Sequence, residues 1–296
     1  MFRRPKLRLQ LPSRTLLLGG RTLIVGVLNA TPDSFSDGGK YLDPRAALRR
    51  ALEMQAQGAD ILELGGESTR PGSRPVSAEI ELSRVLPVLA CLQGRISIPI
   101  SIDTQKAVVA RAAVEAGAEI VNDVSALRTD PALAEVIRRA RAAVVLMHMR
   151  GRPATMQKRP FARNVMADVE RGLLQALERA RRAGIPRARV VLDPGIGFGK
   201  SVKQNCEVLA RLPELARLGC PLLVGTSRKS FLQTPGGGAP GAGRIWGTAA
   251  SVAMAIAGGA HLVRVHDVAE MAEVARVADT IAGRTASGIK SGKRTR

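Results

Sequence analysis

Eight short apolar runs, separated by amphipathic stretches, constrain this chain more than any other feature of its sequence. They are Leu23–Leu28, Ile61–Leu64, Ile98–Ile102, Ile120–Val124, Ala143–Met147, Val190–Leu192, Leu222–Val224 and Leu262–Val265. Each is brief and rich in leucine or β-branched residues, the pattern of strands buried on both faces. The intervening stretches carry helix punctuation. Asp43-Pro44 and Asp130-Pro131 set a capping carboxylate before a proline at the first helical position. Gly58, Gly117 and Gly184 end apolar-periodic stretches, where a left-handed residue stops a helix. Gly58-Ala59-Asp60-Ile61, Gly117-Ala118-Glu119-Ile120 and Gly259-Ala260-His261-Leu262 repeat one helix stop, turn and strand start.

Eight strands, each followed by a helix, predict a single (β/α)8 TIM barrel over residues 22–283. An open doubly wound sheet is the alternative. It calls for a glycine-rich turn after the first strand, and Asn29-Ala30-Thr31-Pro32 stands there instead. Leu7, Leu9 and Leu11 alternate with polar residues before Leu16–Leu18 and Gly19-Gly20, so residues 1–21 read as an N-terminal β-hairpin. An arginine-rich transit peptide is the competing reading of that segment. Residues 284–296 are basic and aperiodic, a disordered basic C-terminal tail. Pro235–Gly243 reads as a flexible loop within the barrel.

Charge is the composition feature that needs an explanation, because 45 Lys and Arg oppose 25 Asp and Glu for a formal +20. Aromatic residues are only 2% of the chain, too few for stacking on nucleic-acid bases. Six basic residues and no acid lie in residues 1–32, and five basic residues and no acid lie in 284–296. Eleven of the twenty surplus charges therefore sit at the ends. The excess around Arg138–Arg163 reads as a solvated surface that gathers anions. Cys91, Cys206 and Cys220 have no metal or disulfide spacing, which suits a reducing, cytoplasmic setting, and no run of 18 apolar residues suggests a membrane span.

In a barrel, chemistry collects at the C-terminal ends of the strands. Those positions hold Asn29, Glu63, Asp103, Asn122, His148, Asp193, Lys229, Arg264 and His266, a polar, mixed-charge pocket converging on one axis. The loop 29–39 is built of small residues around Phe35, as a closing loop would be. Gly65–Gly72 sets Thr69 and Arg70 beside Pro71, a combination suited to an anionic, oxygen-rich ligand. Two motifs fail. Gly199-Lys200-Ser201 ends like a phosphate-binding P-loop, but residue 194, where its first glycine belongs, is proline. The dinucleotide pattern GxGxxG meets Lys200 at its last glycine. No GxSxG elbow or paired metal-ligating histidines occur.

Eight blocks, one per strand end and in order, carry a family resemblance: LNATPDSFSDGG (28–39), GGESTRPG (65–72), SIDT (101–104), NDVSA (122–126), LMHMRGRPATMQ (146–157), LDPGIGFGK (192–200), GTSRKS (225–230) and RVHD (264–267). Over residues 22–283 the chain resembles the dihydropteroate synthases. The resemblance implies a (β/α)8 barrel and a Mg2+-dependent transferase of folate biosynthesis. Such an enzyme joins p-aminobenzoate to 6-hydroxymethyl-7,8-dihydropterin diphosphate and releases diphosphate. By matching positions, Asp103, Asn122, Asp193 and Lys229 would bind the pterin. Thr69, Arg264 and His266 would bind the diphosphate, and Asn29 would bind Mg2+. Phe35, Pro71, Gly197, Phe198 and Ser230 would bind p-aminobenzoate. Lys229, Asp37 and Arg70 would act in catalysis, Asp37 facing the developing cation and Arg70 the departing diphosphate.

The resemblance further implies a homodimer acting on small molecules, with neither nucleic acid nor membrane as partner, and sulfonamide sensitivity. Ala30 and Ile196 replace a valine and a phenylalanine common in the family. Two alternatives stand beside this reading. One is a catalytically silent pterin-binding paralogue. The other is a pterin-binding barrel of the corrinoid methyltransferase type, which has no use for a diphosphate clamp.

Overall fold

The computed structural model describes residues 2–31, 43–69, 72–151, 155–156, 163–232 and 243–284. Two antiparallel strands, β1 (Leu7–Gln10) and β2 (Thr15–Leu18), form the expected N-terminal hairpin, with Leu7 opposite Leu18 and Gln10 opposite Thr15. Eight parallel strands follow: β3 (Leu23–Asn29), β4 (Ile61–Gly65), β5 (Ile100–Asp103), β6 (Ile120–Asp123), β7 (Ala143–Met147), β8 (Val190–Asp193), β9 (Leu223–Gly225) and β10 (Leu262–Val265). Hydrogen bonding runs β8-β7-β6-β5-β4-β3-β10-β9, and a parallel bridge between Leu192 and Leu222 closes the ring. The helices α1 (Pro44–Ala56), α2 (Ala78–Leu92), α3 (Ala107–Glu115), α4 (Leu133–Ala140), α5 (Val165–Arg182), α6 (Val202–Ala210), α7 (Gly243–Ala257) and α8 (Val268–Ile281) alternate with them. The fold is the (β/α)8 barrel, and the main core lies between strands and helices.

Local chemistry sets the element ends. Asp43 caps α1 by accepting from the Arg45 and Ala46 amides at 3.0 and 3.3 Å. Asp130 departs from expectation, because α4 starts later, at Leu133. One Asp130 oxygen accepts from Ala132 N at 3.0 Å, and the other from Ala107 N, the first residue of α3, at 2.7 Å. Its carboxylate thus closes a turn and caps the neighbouring helix. Gly58, Gly117 and Gly184 stop their helices in left-handed conformations, as expected.

The hairpin seals the N-terminal end of the barrel. Leu9, Leu11 and Leu18 are buried against Leu23, Ile61 and Leu262, which stand at the starts of their strands. Basic residues counted at the chain ends fasten this seal. Arg4 is buried, donates to Thr22 Oγ1 at 2.8 Å and to the Ala260 carbonyl, and pairs with Asp279 at 3.1 Å. Burial lowers its pKa to about 10, against the pull of Asp279. Arg21 pairs with Asp60, and Ser13 donates to Glu119 through its amide and hydroxyl. Arg284, placed by sequence in the tail, donates to the Ile256 and Phe2 carbonyls at 2.8 and 2.9 Å. The rest of the tail, 285–296, and most of the loop 235–243 lie outside the described residues. Among those described, no helix is long and apolar enough to cross a membrane, and the three cysteines are free.

Candidate active site

Strand register alone assembles the mouth at the C-terminal end. Asn29 pairs with Gly65, Gly65 with Asp103, and Asp103 with Asn122, one residue from each of four adjacent strands. Asp193 lies beyond them on β8, opposite Met147. Glu63 and Arg264 face one another inside the ring, Nη1 to Oε1 at 3.2 Å. Asp103, Asn122, Asp193 and Lys229 therefore surround an ion pair whose members are 201 residues apart.

Burial governs the electrostatics here. It raises the pKa of Asp103 well above the usual carboxylate range, and the charge of Glu63 adds to the rise. Glu63 is raised for the same first reason, with Arg264 opposing. Burial also works against the Arg264 charge, yet Glu63, Asp103 and Asp193 together hold its pKa up. Lys229 is pushed down to about 7, by burial first and then by Arg264. Asn122 is 1% exposed, and neither its Nδ2 nor its Oδ1 has a hydrogen-bond partner. It lies near the Glu63 carboxylate and lowers its pKa slightly, but the geometry falls short of a hydrogen bond. An orphaned buried amide costs about 1–3 kcal/mol of desolvation, so this mouth is unfinished without a ligand.

The loop after β8 forms one wall. Gly195 and Gly199 have left-handed backbones, and a Cβ on either would overlap the carbonyl oxygen of His148 or Arg150. Only glycine lets this loop pass so close beneath the one after β7. The Gly195 amide donates to Asp193 Oδ1 at 2.7 Å, and the Gly197 amide to Asn205 Oδ1 at 2.6 Å. Lys200 is 3% exposed. Its ammonium donates to the Gly195 and Phe198 carbonyls at 2.7 and 3.2 Å and contacts His148 Nδ1 at 3.0 Å. The lysine that imitates a P-loop residue is thus turned inward as a clamp.

The loop after β9 presents Lys229. Arg228, in a left-handed conformation, is held by an ion pair with Asp267 and by a hydrogen bond from its amide to Thr248 Oγ1 at 3.1 Å. Lys229 donates to the Ile196 carbonyl and lies 4.7 Å from the centroid of the Phe198 ring. Phe198 is 6% exposed and packs with Val124, Met147, Met149 and Met156. Ser230 is exposed, and Gly197 faces the Lys229 stem. His266 is fixed by Ser227, whose hydroxyl lies 3.2 Å from its amide and 3.1 Å from its Nδ1.

Thr69 is half-buried on the second loop. That loop is anchored by Glu67, which accepts from Val76 N at 3.2 Å and from Lys106 at 2.5 Å. Lys106 also bonds the buried Glu81. Phe35, Asp37, Arg70 and Pro71 lie outside the described residues. The register brings Asn29, Asp103 and Asn122 together, and charge coupling ties Asp193, Lys229 and Arg264 to them. No described contact joins Thr69 or Ser230 to that group. Sequence reading assigned no role to Glu63 as the Arg264 partner, to Lys200 as a clamp, or to Arg228 and Asp267 as a brace. Lys200, Arg228 and Asp267 lie inside blocks that carry the resemblance, which is the one signal that points to them.

A family model described as pterin binding enzyme matches residues 25–266. The chain is 45% identical over 263 residues to a dihydropteroate synthase of Synechocystis sp., covering 89% of this chain and 91% of that one. Among solved structures, the Yersinia pestis dihydropteroate synthase in a sulfonamide drug complex superposes with a TM-score of 0.89 at 40% identity, covering 94% of this chain and all of that one. The Xanthomonas albilineans dihydropteroate synthase with 4-aminobenzoic acid gives 0.86 at 42% identity, covering 94% and 99%. With that architecture, that mouth and these relatives, the chain belongs to the dihydropteroate synthase family of pterin-binding enzymes.

Proposed function

We propose that this chain catalyses the dihydropteroate synthase reaction, in which the amine of p-aminobenzoate displaces diphosphate from 6-hydroxymethyl-7,8-dihydropterin diphosphate. A C–N bond forms at the pterin methylene as the C–O bond to diphosphate breaks, and the amine releases a proton. The observation that carries this reading is Asn122, buried with both amide atoms unpartnered between Asp103 and Asp193. The pterin's amino-pyrimidine edge brings N–H donors for the carboxylates and a donor–acceptor pair for the amide. Lys229 gives up the Ile196 carbonyl for the pterin carbonyl. Binding replaces lost hydration at the carboxylates with charge-assisted hydrogen bonds.

Arg264, His266 and Thr69 take the diphosphate in this reading. Asp37 faces the positive charge left on the methylene, and Arg70 holds the leaving group. Phe35, Pro71, Gly197, Phe198 and Ser230 serve p-aminobenzoate in this reading; the Xanthomonas relative has 4-aminobenzoic acid bound. Its neutral amine needs no strong general base.

Mg2+ fits the donor set. Among the described residues no group of three or more His, Cys, Asp or Glu side chains converges as a metal cage. Asn29, a neutral oxygen donor at the mouth, suits a cation that usually takes few protein ligands and fills its shell from phosphates and water. Asn29 would hold it, and the ion would neutralise charge on the departing diphosphate.

The deciding experiment measures diphosphate release with and without p-aminobenzoate, in Mg2+ and in EDTA. Release that needs all three components is expected. Tight pterin binding without release would identify the silent paralogue and overturn the enzymatic reading, and undiminished release in EDTA would remove the metal. The Yersinia pestis relative is solved in a sulfonamide drug complex, so a sulfonamide should raise the apparent KM for p-aminobenzoate at constant kcat. A homodimer is part of the same proposal. Trp246, 76% exposed, and Met254 on α7, with Val277 and Ile281 on the adjoining α8, are exposed apolar side chains that a second copy would cover. Sedimentation of Trp246→Glu should give monomers if they form that interface.

A further inference from the structure

A second cavity, of about 200 Å³, lies outside the mouth, between the turn after β6, the end of β7 and helix α5. Arg128, Arg150, Arg171 and Arg179 line it with His148 and Asp168, and His148 is the one strand-end residue it shares with the mouth among the described residues. Two of these arginines are fixed in place. Arg179 donates through Nε to the Ala126 carbonyl at 2.8 Å. Arg128 donates to the Ser125 and Met149 carbonyls at 2.8 and 3.0 Å.

The turn that they grip is strained. Ala126 and Leu127 are consecutive non-glycine residues with φ of 53° and 61°. Such backbone costs on the order of 1–3 kcal/mol per residue and persists only where the surroundings impose it. Here the Asp123 carboxylate imposes it, accepting from Ser125 N at 2.8 Å and Leu127 N at 2.5 Å. A further constraint sets the cavity's width: a Cβ on Gly172 of α5 would lie 2.5 Å from His148 Cδ2.

The charge in the cavity is unbalanced. Elsewhere on the surface Arg138, Arg139, Arg181, Arg182 and Arg211 each pair with a glutamate. Among the described residues, Arg128 and Arg179 have no carboxylate within ion-pair distance. Burial, and then the Arg128 charge, lowers the pKa of Arg179. Asp168 is the one acid lining the cavity, and it is shared among Arg171 at 3.4 Å, His148 at 3.5 Å and Arg150 at 3.8 Å. His148 adds no charge at neutral pH, since burial pushes its pKa down to about 4. Four guanidiniums therefore face Asp168 in the cavity and, behind the turn, the buried Asp123, whose charge acts on both Arg128 and Arg179.

We propose that this arginine-lined cavity is a second anion site, built for a small phosphoryl group, either inorganic phosphate or a phosphate monoester. Guanidinium forks match the oxygen spacing of a phosphoryl group and bind it bidentately, and several forks around one cavity favour a dianion over chloride. The site needs neither the pterin nor the catalytic assignment, so it stands or falls apart from them.

Its test is calorimetry on the full chain, titrating inorganic phosphate in one arm and glycerol 3-phosphate in the other. Crystals soaked in tungstate locate the anion by its anomalous signal. A tungstate peak between Arg128 and Arg179 is expected, with phosphate binding weakened at least tenfold in Arg128→Gln/Arg179→Gln. Those two residues also hold the turn, so Arg150→Gln/Arg171→Gln, which alters only exposed side chains, provides a second probe. It should weaken the same binding while kcat and KM stay as in the unaltered chain. Preference for one arm identifies a free phosphate or an ester as the ligand. Phosphate binding unchanged in both variants, or tungstate found only in the barrel mouth, would overturn the proposal.

Discussion

At the N-terminal end of the barrel, Arg4, Thr22, Asp279 and Arg284 bond one another and nearby carbonyls, and among these four only Arg4 Nε is left without a partner, as is Arg189 Nε just before β8. At the C-terminal end, Asn122 has no partner for either amide atom, Glu63 has a bare Oε2, and Asp103 and Lys229 are driven toward their neutral forms. The two ends are built on the same eight strands, so the contrast lies in how their polar groups are used. Polar groups at one end are spent on closing the fold. At the other they are held ready at a cost in stability that only a ligand can recover.

That contrast can be broken by mutation. Asp279→Asn strips a buried arginine of its counter-charge and should destabilise the protein by about 3–5 kcal/mol, read from denaturant midpoints. Activity per folded molecule should stay the same; a selective fall in kcat would erase the division between ends. Lys229→Ala is the mirror case. Loss of a preorganised donor should lower kcat/KM about 10²–10³-fold without lowering the melting temperature. A large drop in melting temperature would instead make Lys229 a structural residue.

A pH series sharpens the same point. Lys229 and Lys200 sit near 7 when folded, against an ordinary 10.5. Between those values the unfolded chain binds more protons than the folded one, so stability should rise with pH from about 7 to 10. The slope is at most about 1.4 kcal/mol per pH unit for each group. Lys229→Met should flatten the rise, and an identical slope in that variant would mean that the lysine is not desolvated. The smallest effect belongs to the hairpin: Ser13→Ala removes the 2.6 Å bond to Glu119 and should cost about 1 kcal/mol with no change in kinetics.

Much of this was legible in the sequence, for identifiable reasons. Strands buried on both faces must be short apolar runs, so all eight could be read, and the residues just past them had to be the polar mouth. Helix stops at Gly58, Gly117 and Gly184 follow from backbone sterics that need no tertiary context. Asp130 went astray because its carboxylate serves Ala107, a helix away, and only the fold brings the two together. Arg264 reads as a free cation for diphosphate until β4 and β10 place Glu63 opposite it. Lys200 could be rejected as a P-loop lysine, but its inward turn depends on His148 and two carbonyls from distant loops. Charge at the termini could be counted in the sequence but not paired, since Arg4 and Arg284 meet Asp279 only after the chain has closed.

The bridge between Leu192 and Leu222 is the thinnest join in the ring, backed by the Leu192 amide on the Pro221 carbonyl at 2.9 Å. Asp193 stands one residue beyond it on one side, and the loop that bears Lys229 leaves β9 on the other. A molecule gripped by both side chains spans that join as a rivet spans a lapped seam. Amides along β8 and β9 should then be the first to exchange with deuterated solvent in the free protein and the ones most slowed on binding. The wall of the cylinder is completed by what it holds.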